Sequence, residues 1–584
     1  MENLCGIAGI LRFNNNSVEL NHLKRMTDAI IHRGPDNEGH WISNCKRVGL
    51  GHRRLSIIDL TSNSKQPMHY KNRFSIVFNG EIYNYREIKA NLVSKKYIFS
   101  SASDTEVLLA LYANKGRVMI RDLDGMFAFA IWDSLKNELF CARDRFGEKP
   151  FYYFIDKHKF VFASEMKALW ALGIPKSIKE DSIYSFIKND FKKTENSQNQ
   201  TSFHNINKLC PASTLTIDFE RKLNISKYWS LDSIKINKEI TLEEATEKYL
   251  EIFQESVKYR LRSDVSVGSS LSGGIDSSSI VMMIDKLKPK DQIQKVFSAR
   301  FDNFEKDEGY FIQKLLDKFK TLESYNTWPE KSSILDFIDK VTHHQEEPFG
   351  STSVLAQWKV MKLAKENNVT VLLDGQGADE YLAGYFPEQK IYLTQLFFEN
   401  KKKYKSQLKS FNSINRNSNN NADYLNSETF KMKLGRLKKT LFRQPIDYIN
   451  FKDSLKNRLN SKGFHDLLRY ADRNSMAFSR EIRLPFLSHK LVEFVMTLPD
   501  DFLINNGWSK YIHRKSFDKL IPNEICWRKS KIGFEPPQER WLNDKKVIEI
   551  FNNQKEKYKI KDEIFKNESY NNSFFWRIFL SYFY

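Results

Sequence analysis

The sequence predicts two folds in series, a strand-rich α+β unit and then a parallel α/β sheet with helical additions, and three observations predict them. Residues 1 to about 170 carry short apolar or aromatic runs bounded by Gly, Asn and Asp, the pattern of short strands joined by turns. From Leu242 onward, β-like runs alternate with longer helical stretches, the signature of a parallel sheet covered by helices. Between the two, a charged and polar stretch from Lys176 to about Thr201 and a few strand-like pieces leading to Trp229 place a boundary near 230, giving units over 1–230 and 231–584.

Taken in order, Phe74–Phe78, Met126–Trp132, Leu139–Ala142 and Phe160–Ala163 read as strands with helical stretches between them, and Ser213–Asp218 as a further strand. A helix over Leu242 to about Arg262 precedes a β-like run, Val265–Leu271, which runs into Ser-Gly-Gly and a helix; a second run, Val369–Leu373, ends in Asp-Gly. Parallel sheets bind ligands beyond the carboxyl ends of their strands, where both glycine-bearing segments fall. Residues 401–421 are rich in Lys, Asn and Ser without periodicity and read as a mobile surface insertion. The aromatic run Ser573–Tyr584, broken by Arg577, reads as a packed last helix rather than a membrane anchor.

Composition narrows the function classes. With 584 residues there is material for separate cores. The 92 Lys and Arg against 72 Asp and Glu leave +20, which at face value suits an anionic partner. Hydrophobic residues at 41% and aromatics at 14% exclude a disordered polyelectrolyte, and no aromatic-basic recognition motif accompanies the charge, so no nucleic-acid partner is expected. Five cysteines, Cys5, Cys45, Cys141, Cys210 and Cys526, form no CxxC pair, which argues against a disulfide framework or a thiolate zinc site. No run approaches the roughly 20 apolar residues of a membrane span and no secretory signal opens the chain, so a cytoplasmic protein without a membrane partner is expected.

Cys5-Gly6-Ile7-Ala8-Gly9 sets a thiol at the start of an apolar strand, and alone it would read as a packed small hydrophobe. Other motifs follow it in order: His32-Arg33-Gly34-Pro35-Asp36, Gly51 to Ser56, Gln66-Pro67, Phe78-Asn79-Gly80-Glu81, Ser103 to Glu106 and Arg143 to Gly147. Together they resemble the glutaminase domain of amino-terminal-nucleophile amidotransferases, in particular the glutamine-hydrolysing asparagine synthetase family. That resemblance implies an αββα sandwich in which the Cys5 thiolate attacks the glutamine carboxamide and its own α-amine serves as base. An α-amine titrates near 7.7 to 8.0, close to working pH, whereas a lysine sits near 10.4. It further implies an oxyanion hole from Asn79 and the Gly80 N–H, Arg54 on the glutamine α-carboxylate, and Glu81 with Asp104 on its ammonium. Read without it, Asn79-Gly80 is a hairpin turn, Arg54 a surface ion pair and Ser103 to Glu106 a capping box. A free amine at Cys5 requires removal of Met1-Glu2-Asn3-Leu4 as a leader, the reading favoured here; the alternative is an inactive half and an enzyme that uses free ammonia.

Ser270-Leu271-Ser272-Gly273-Gly274-Ile275-Asp276-Ser277-Ser278 follows a strand and opens a helix, where backbone N–H groups, hydroxyls and the helix terminus favour an anion. It lacks the Gly-Lys-Ser/Thr of a Walker loop and resembles the pyrophosphate loop of the ATP pyrophosphatases. The same family resemblance implies an ATP site from Leu271, Ser272, Gly273, Gly274, Asp276, Ser277, Ser278, Ser298, Asp374 and Gly375, and Mg²⁺ on Asp276 and Asp379, for which hard oxygen ligands are suited. Asp374-Gly375-Gln376-Gly377 departs from the Ser-Gly-Glu-Gly often found there. Lys510 is implied to neutralise the departing pyrophosphate and Glu347, in a Glu346-Glu347 doublet of ambiguous register, to deprotonate ammonia. Arg483-Leu484-Pro485-Phe486-Leu487-Ser488-His489 also matches the family and reads as structural. The expected function is glutamine-dependent, ATP-driven amidation of aspartate through β-aspartyl-AMP, with glutamine, aspartate and ATP as the small-molecule partners and a homodimer as a possible assembly. The first alternative is the same machinery acting on another carboxylate such as a sugar acid, and the second a nucleic-acid binding protein on a retired enzyme fold that uses the +20 charge.

Overall fold

The computed structural model of the chain describes residues 5–54, 57–59, 61–188, 199–414, 450–529, 536–560 and 571–584. The expected leader 1–4 and residues 415–421 of the expected insertion lie outside them.

Among the described residues, seventeen strands build three large sheets. In chain order they are β1 (Gly6–Arg12), β2 (Asn37–Ile42), β3 (Val48–Arg54), β4 (Met68–Tyr70), β5 (Phe74–Ile82), β6 (Gly125–Asp133), β7 (Glu138–Arg143), β8 (Tyr152–Ile155), β9 (Lys159–Ala163), β10 (Ile206–Lys208), β11 (Ser213–Asp218), β12 (Asn224–Lys227), β13 (Val267–Ser270), β14 (Gln294–Ala299), β15 (Leu322–Thr327), β16 (Val371–Leu373) and β17 (Glu481–Arg483). Two antiparallel sheets, β10-β8-β9-β1-β3-β2 and β12-β11-β7-β6-β5-β4, face each other.

Side-chain alternation along each strand assigns the layers. Val77, Ala128 and Ala130 of one sheet pack between the sheets with Ile7, Leu11, Val48 and Phe162 of the other. On the far side of the second sheet, Ile76, Phe78, Phe127 and Phe129 meet Leu92 and Leu108 of the helices Tyr85–Ser94 and Asp104–Lys115. On the far side of the first, Ala8 and Ile10 meet Leu23 and Met26 of the helix Leu20–Asp28. The result is the αββα sandwich.

The third sheet, β15-β14-β13-β16-β17, is parallel throughout. From β13 the chain winds outward to β14 and β15, then returns to the other flank for β16 and β17. The strand order therefore reverses between β13 and β16, and such a switch point leaves a crevice at the strands' carboxyl ends. Ser270 and Asp374 both emerge there.

Part of the expected insertion is ordered helix. Lys401–Ile414 is helical and buries Tyr404, Gln407 and Phe411. The apolar positions 404, 408 and 411 fall one helical turn apart, a stripe diluted but not erased by the lysines. The closing aromatic run is a helix, Asn571–Leu580, that buries Trp576, Ile578 and Phe579 against Phe349. Among the described residues no helix is long and apolar enough to cross a membrane.

Candidate active sites

Strand parity brings the first site together. Cys5 precedes β1 and shares the parity of Ile7 and Leu11, which face the space between the sheets; Asn79 and Glu81 share that of Val77, which faces it from the other side. Gly6 pairs with Arg53 in the antiparallel β1–β3 ladder, so continuation of the register sets Cys5 opposite Arg54. Arg54 is buried and reaches the carbonyls of Asp59 at 2.5 Å and Thr61 at 3.0 Å. Burial lowers its pKa, with Cys5, Asp59 and Asp36 opposing that shift.

The amide of Asn79 is nearly inaccessible and its Nδ2 has no hydrogen-bond partner. An unsatisfied buried donor is costly, and here it is aimed into the space shared with Cys5, as a donor awaiting a developing oxyanion would be. Gly80 holds φ +145°, and a Cβ there would lie 2.0 Å from the Met126 carbonyl. Glycine is thus the residue that lets β5 lie this close to β6 while turning its N–H.

Two carboxyls complete the pocket. Asp104, at the first turn of its helix, accepts the Ile82 N–H at 3.0 Å, and burial raises its pKa to about 6. Glu81 is pushed well above the usual carboxylate range, first by burial and then by Asp104. Two desolvated like charges repel, and an ammonium between them relieves the repulsion. Glu81 has a further neighbour absent from the sequence reading: Arg483 of β17 approaches its Oε1 to 3.4 Å. The segment read as structural thus reaches the first pocket.

The second site sits at the β13/β16 reversal. Gly273 adopts φ +75° and Gly274 caps the helix Ile275–Leu287. The loop is tied down by Ser278 Oγ donating to the Gly274 carbonyl at 2.6 Å and Ser298 Oγ donating to that of Leu271 at 2.6 Å. Ser272 and Ser277 hydroxyls lie 3.1 Å apart. Gly375 abuts the loop, since a Cβ on it would come 3.2 Å from both Asp276 Cβ and the Ser277 nitrogen. Asp374 accepts the Gln376 N–H at 3.1 Å and is raised by burial.

Lys510 Nζ lies 2.5 Å from Asp276 Oδ2 and 2.7 Å from Asp379 Oδ1. Two carboxylates converging on one cation beside a phosphate-sized loop are oxygen donors of the kind that would suit magnesium alongside a nucleotide's phosphates. Among the described residues no cluster of three or more His, Cys, Asp or Glu offers a complete protein cage.

Glu347 is not part of this arrangement. Its Oε1 accepts the Ser202 N–H at 2.8 Å, and Lys208 and Arg469 hold its pKa down against burial. Glu346 accepts the N–H groups of Met166 and Lys167 at 2.9 and 2.7 Å. The doublet joins the two units, which its sequence neighbourhood gave no means of telling. Beside Asp379, Glu380 is raised to about 7 by burial and by Asp379 and accepts the Tyr385 hydroxyl at 2.7 Å.

Residues 4–229 match a glutamine amidotransferase domain model and residues 248–575 an asparagine synthase model. A Bacillus subtilis protein named asparagine synthetase [glutamine-hydrolyzing] 1 is 30% identical, over 93% of this chain and 88% of its own. A putative asparagine synthetase [glutamine-hydrolyzing] 2 of Methanocaldococcus jannaschii is 36% identical over 65% of this chain and 76% of its own. A Gibberella zeae protein named amidase chry2 is 30% identical over 62% of this chain and 55% of its own.

Proposed function

Because the chain belongs to the glutamine-hydrolysing asparagine synthetase family, we propose that it transfers the amide nitrogen of glutamine to the β-carboxylate of aspartate at the cost of ATP. The Cys5 thiol, its proton taken by the α-amine once residues 1–4 are gone, attacks the carboxamide carbon. Asn79 Nδ2 and the Gly80 N–H hold the oxyanion, ammonia leaves with the proton from the amine, and water cleaves the thioester to glutamate. Arg54 takes the α-carboxylate and Glu81 with Asp104 the ammonium.

At the second site the aspartate β-carboxylate attacks the α-phosphorus of ATP and pyrophosphate departs. Ammonia then attacks the acyl carbon and AMP departs, giving asparagine. Magnesium between Asp276 and Asp379 would neutralise phosphate charge. Lys510 then leaves the two carboxylates for the pyrophosphate, and the loop N–H groups from Ser272 to Gly274 cradle it. Glu380 fits the part of proton acceptor that the sequence assigned to Glu347.

The observation that carries this reading is Lys510 clamped between Asp276 and Asp379 at the strand reversal, in the same chain as the Cys5 pocket. The test is incubation of purified protein with glutamine, aspartate, ATP and magnesium. Asparagine, glutamate, AMP and pyrophosphate should appear in equal amounts, and AMP release on another carboxylic acid without asparagine would overturn aspartate as acceptor. That outcome is the second reading. The intact mass of the same preparation reports whether residues 1–4 are present.

A further inference from the structure

A buried layer of charge separates the two units and touches the nucleophile's own residue. Arg33, in the turn Ile31–Arg33, is fully buried. Its Nε donates to the Cys5 carbonyl at 3.2 Å, and its Nη1 to Glu165 Oε1 at 2.7 Å. Its two Nη atoms also meet both oxygens of Asp472, at 2.8 and 3.0 Å. Asp472 belongs to the carboxy-terminal unit, on the helix Lys462–Met476.

The surroundings balance charge by charge. Arg473, next to Asp472, pairs with Glu165 and Glu346 at 2.8 Å each, and Lys167 pairs with the same two carboxylates at 2.5 and 3.6 Å. Arg33, Lys167 and Arg473 are thus matched by Glu165, Glu346 and Asp472, all buried. The neighbouring turn is tied across as well, by Ser479 Oγ donating to the His32 carbonyl at 2.9 Å. A bidentate carboxylate fixes a guanidinium in plane and direction, and here the remaining Nε is thereby aimed at Cys5.

We propose that Asp472 is a positioning residue for the Cys5 nucleophile, acting through Arg33, so that glutamine hydrolysis in one unit depends on a carboxylate supplied by the other. Cys5 lies just ahead of β1, before the first β1–β3 pair at Gly6, and the Arg33 bond holds its carbonyl. Loss of the Asp472 charge would leave Arg33 to Glu165 alone and let Nε swing off the Cys5 carbonyl. The ATP side does not use this contact. The inference rests on Cys5 being the nucleophile, as proposed above.

The test uses the full chain carrying Asp472→Asn, with Asp472→Glu as rescue and Cys5→Ala as control. Asp472→Asn should lower kcat for glutamine hydrolysis on the order of a hundredfold, the scale of a misplaced reacting group. KM for glutamine and ammonia-dependent synthesis should stay within about twofold, and the pH profile of Cys5 alkylation by iodoacetamide should shift. Asp472→Glu should recover part of kcat. Arg33→Lys, which keeps the charge but not the fork, should repeat the loss and serves if Asp472→Asn fails to fold. Wild-type kcat and alkylation profile in a folded Asp472→Asn, or equal loss of glutamine- and ammonia-dependent synthesis, would overturn the proposal. Glutamine hydrolysis persisting in Cys5→Ala would instead overturn the reading beneath it.

Discussion

The two sites handle charge in opposite ways. Around Cys5 the polar groups are held in a state of need: Asn79 Nδ2 has no acceptor, and Glu81 and Asp104 are both pushed toward protonation. Around the β13 loop opposite charges are paired with one another, Lys510 lying between Asp276 and Asp379. The first pocket is built on paired strands inside a sandwich and can carry unsatisfied groups because the sheets hold them in place. The second is built on loops at a strand reversal and, on the proposed function, would exchange partners when a nucleotide binds. On that proposal, the site for a zwitterion of fixed shape is preorganised, and the site for a departing polyanion keeps its cation in reserve.

The comparison breaks most sharply at Lys510. Lys510→Ala should reduce asparagine formation from both glutamine and ammonia by about a thousandfold or more, since an electrostatic clamp on a departing polyanion is removed. Glutaminase activity measured as glutamate release without ATP should remain. If glutamate release falls equally, the two pockets are not separate in the sense argued here.

Asn79→Ala should act on one side only. It should cut kcat for glutamine hydrolysis by about 10²- to 10³-fold, the range for loss of one oxyanion donor, and leave ammonia-dependent synthesis intact. Because the Nδ2 donor has no partner in the free protein, the variant should unfold at or slightly above the wild-type Tm. A large drop in Tm would show that the amide is a structural bond instead.

Asp104 gives a pH test of the same contrast. Its carboxyl, raised from 3.8 to about 6, is protonated in the free protein below that value and must ionise to face an ammonium. KM for glutamine should therefore rise as pH falls through about 6, approaching tenfold per unit, while KM for ammonia corrected for its own ionisation should not follow. The linkage sign runs the other way for stability. Between 3.8 and about 6 the folded form holds a proton the unfolded form lacks, so this group's contribution declines as pH rises across that window.

The smallest effect on activity is expected at Phe411. It is 3% exposed on the helix Lys401–Ile414, and Phe411→Ala should cost about 3 to 5 kcal/mol of stability, read by denaturant unfolding, with kcat for both ammonia sources preserved at low temperature. A neutral outcome would return this segment to the surface insertion its composition suggested.

Much of the fold was legible because strands write their parity into the sequence. Phe74 to Ile82 and Gly125 to Asp133 alternate between two buried faces, and the switch-point loops carry their glycines in plain sight. The helix at 401–414 was not, since lysines outnumber the three apolar residues that seat it. Glu347 was assigned with no sight of the groups that surround it, Ser202, Lys208 and Arg469, which lie more than a hundred residues away in the chain. Arg33 and Asp472, 439 positions apart, leave no joint signal in a single sequence; only the fold brings them together.

Arg483 carries two obligations at once. Its carbonyl accepts the Asp374 N–H at 3.0 Å on the nucleotide side, while its guanidinium stands 3.4 Å from Glu81 on the glutamine side. For anyone building chimaeras, that makes the units poor interchangeable parts. A foreign amino-terminal unit without a carboxylate at position 81 would take away one of the two carboxylates beside this buried cation and leave it to Glu481, 2.7 Å away in its own unit, so exchange of one unit calls for matching the other at this residue.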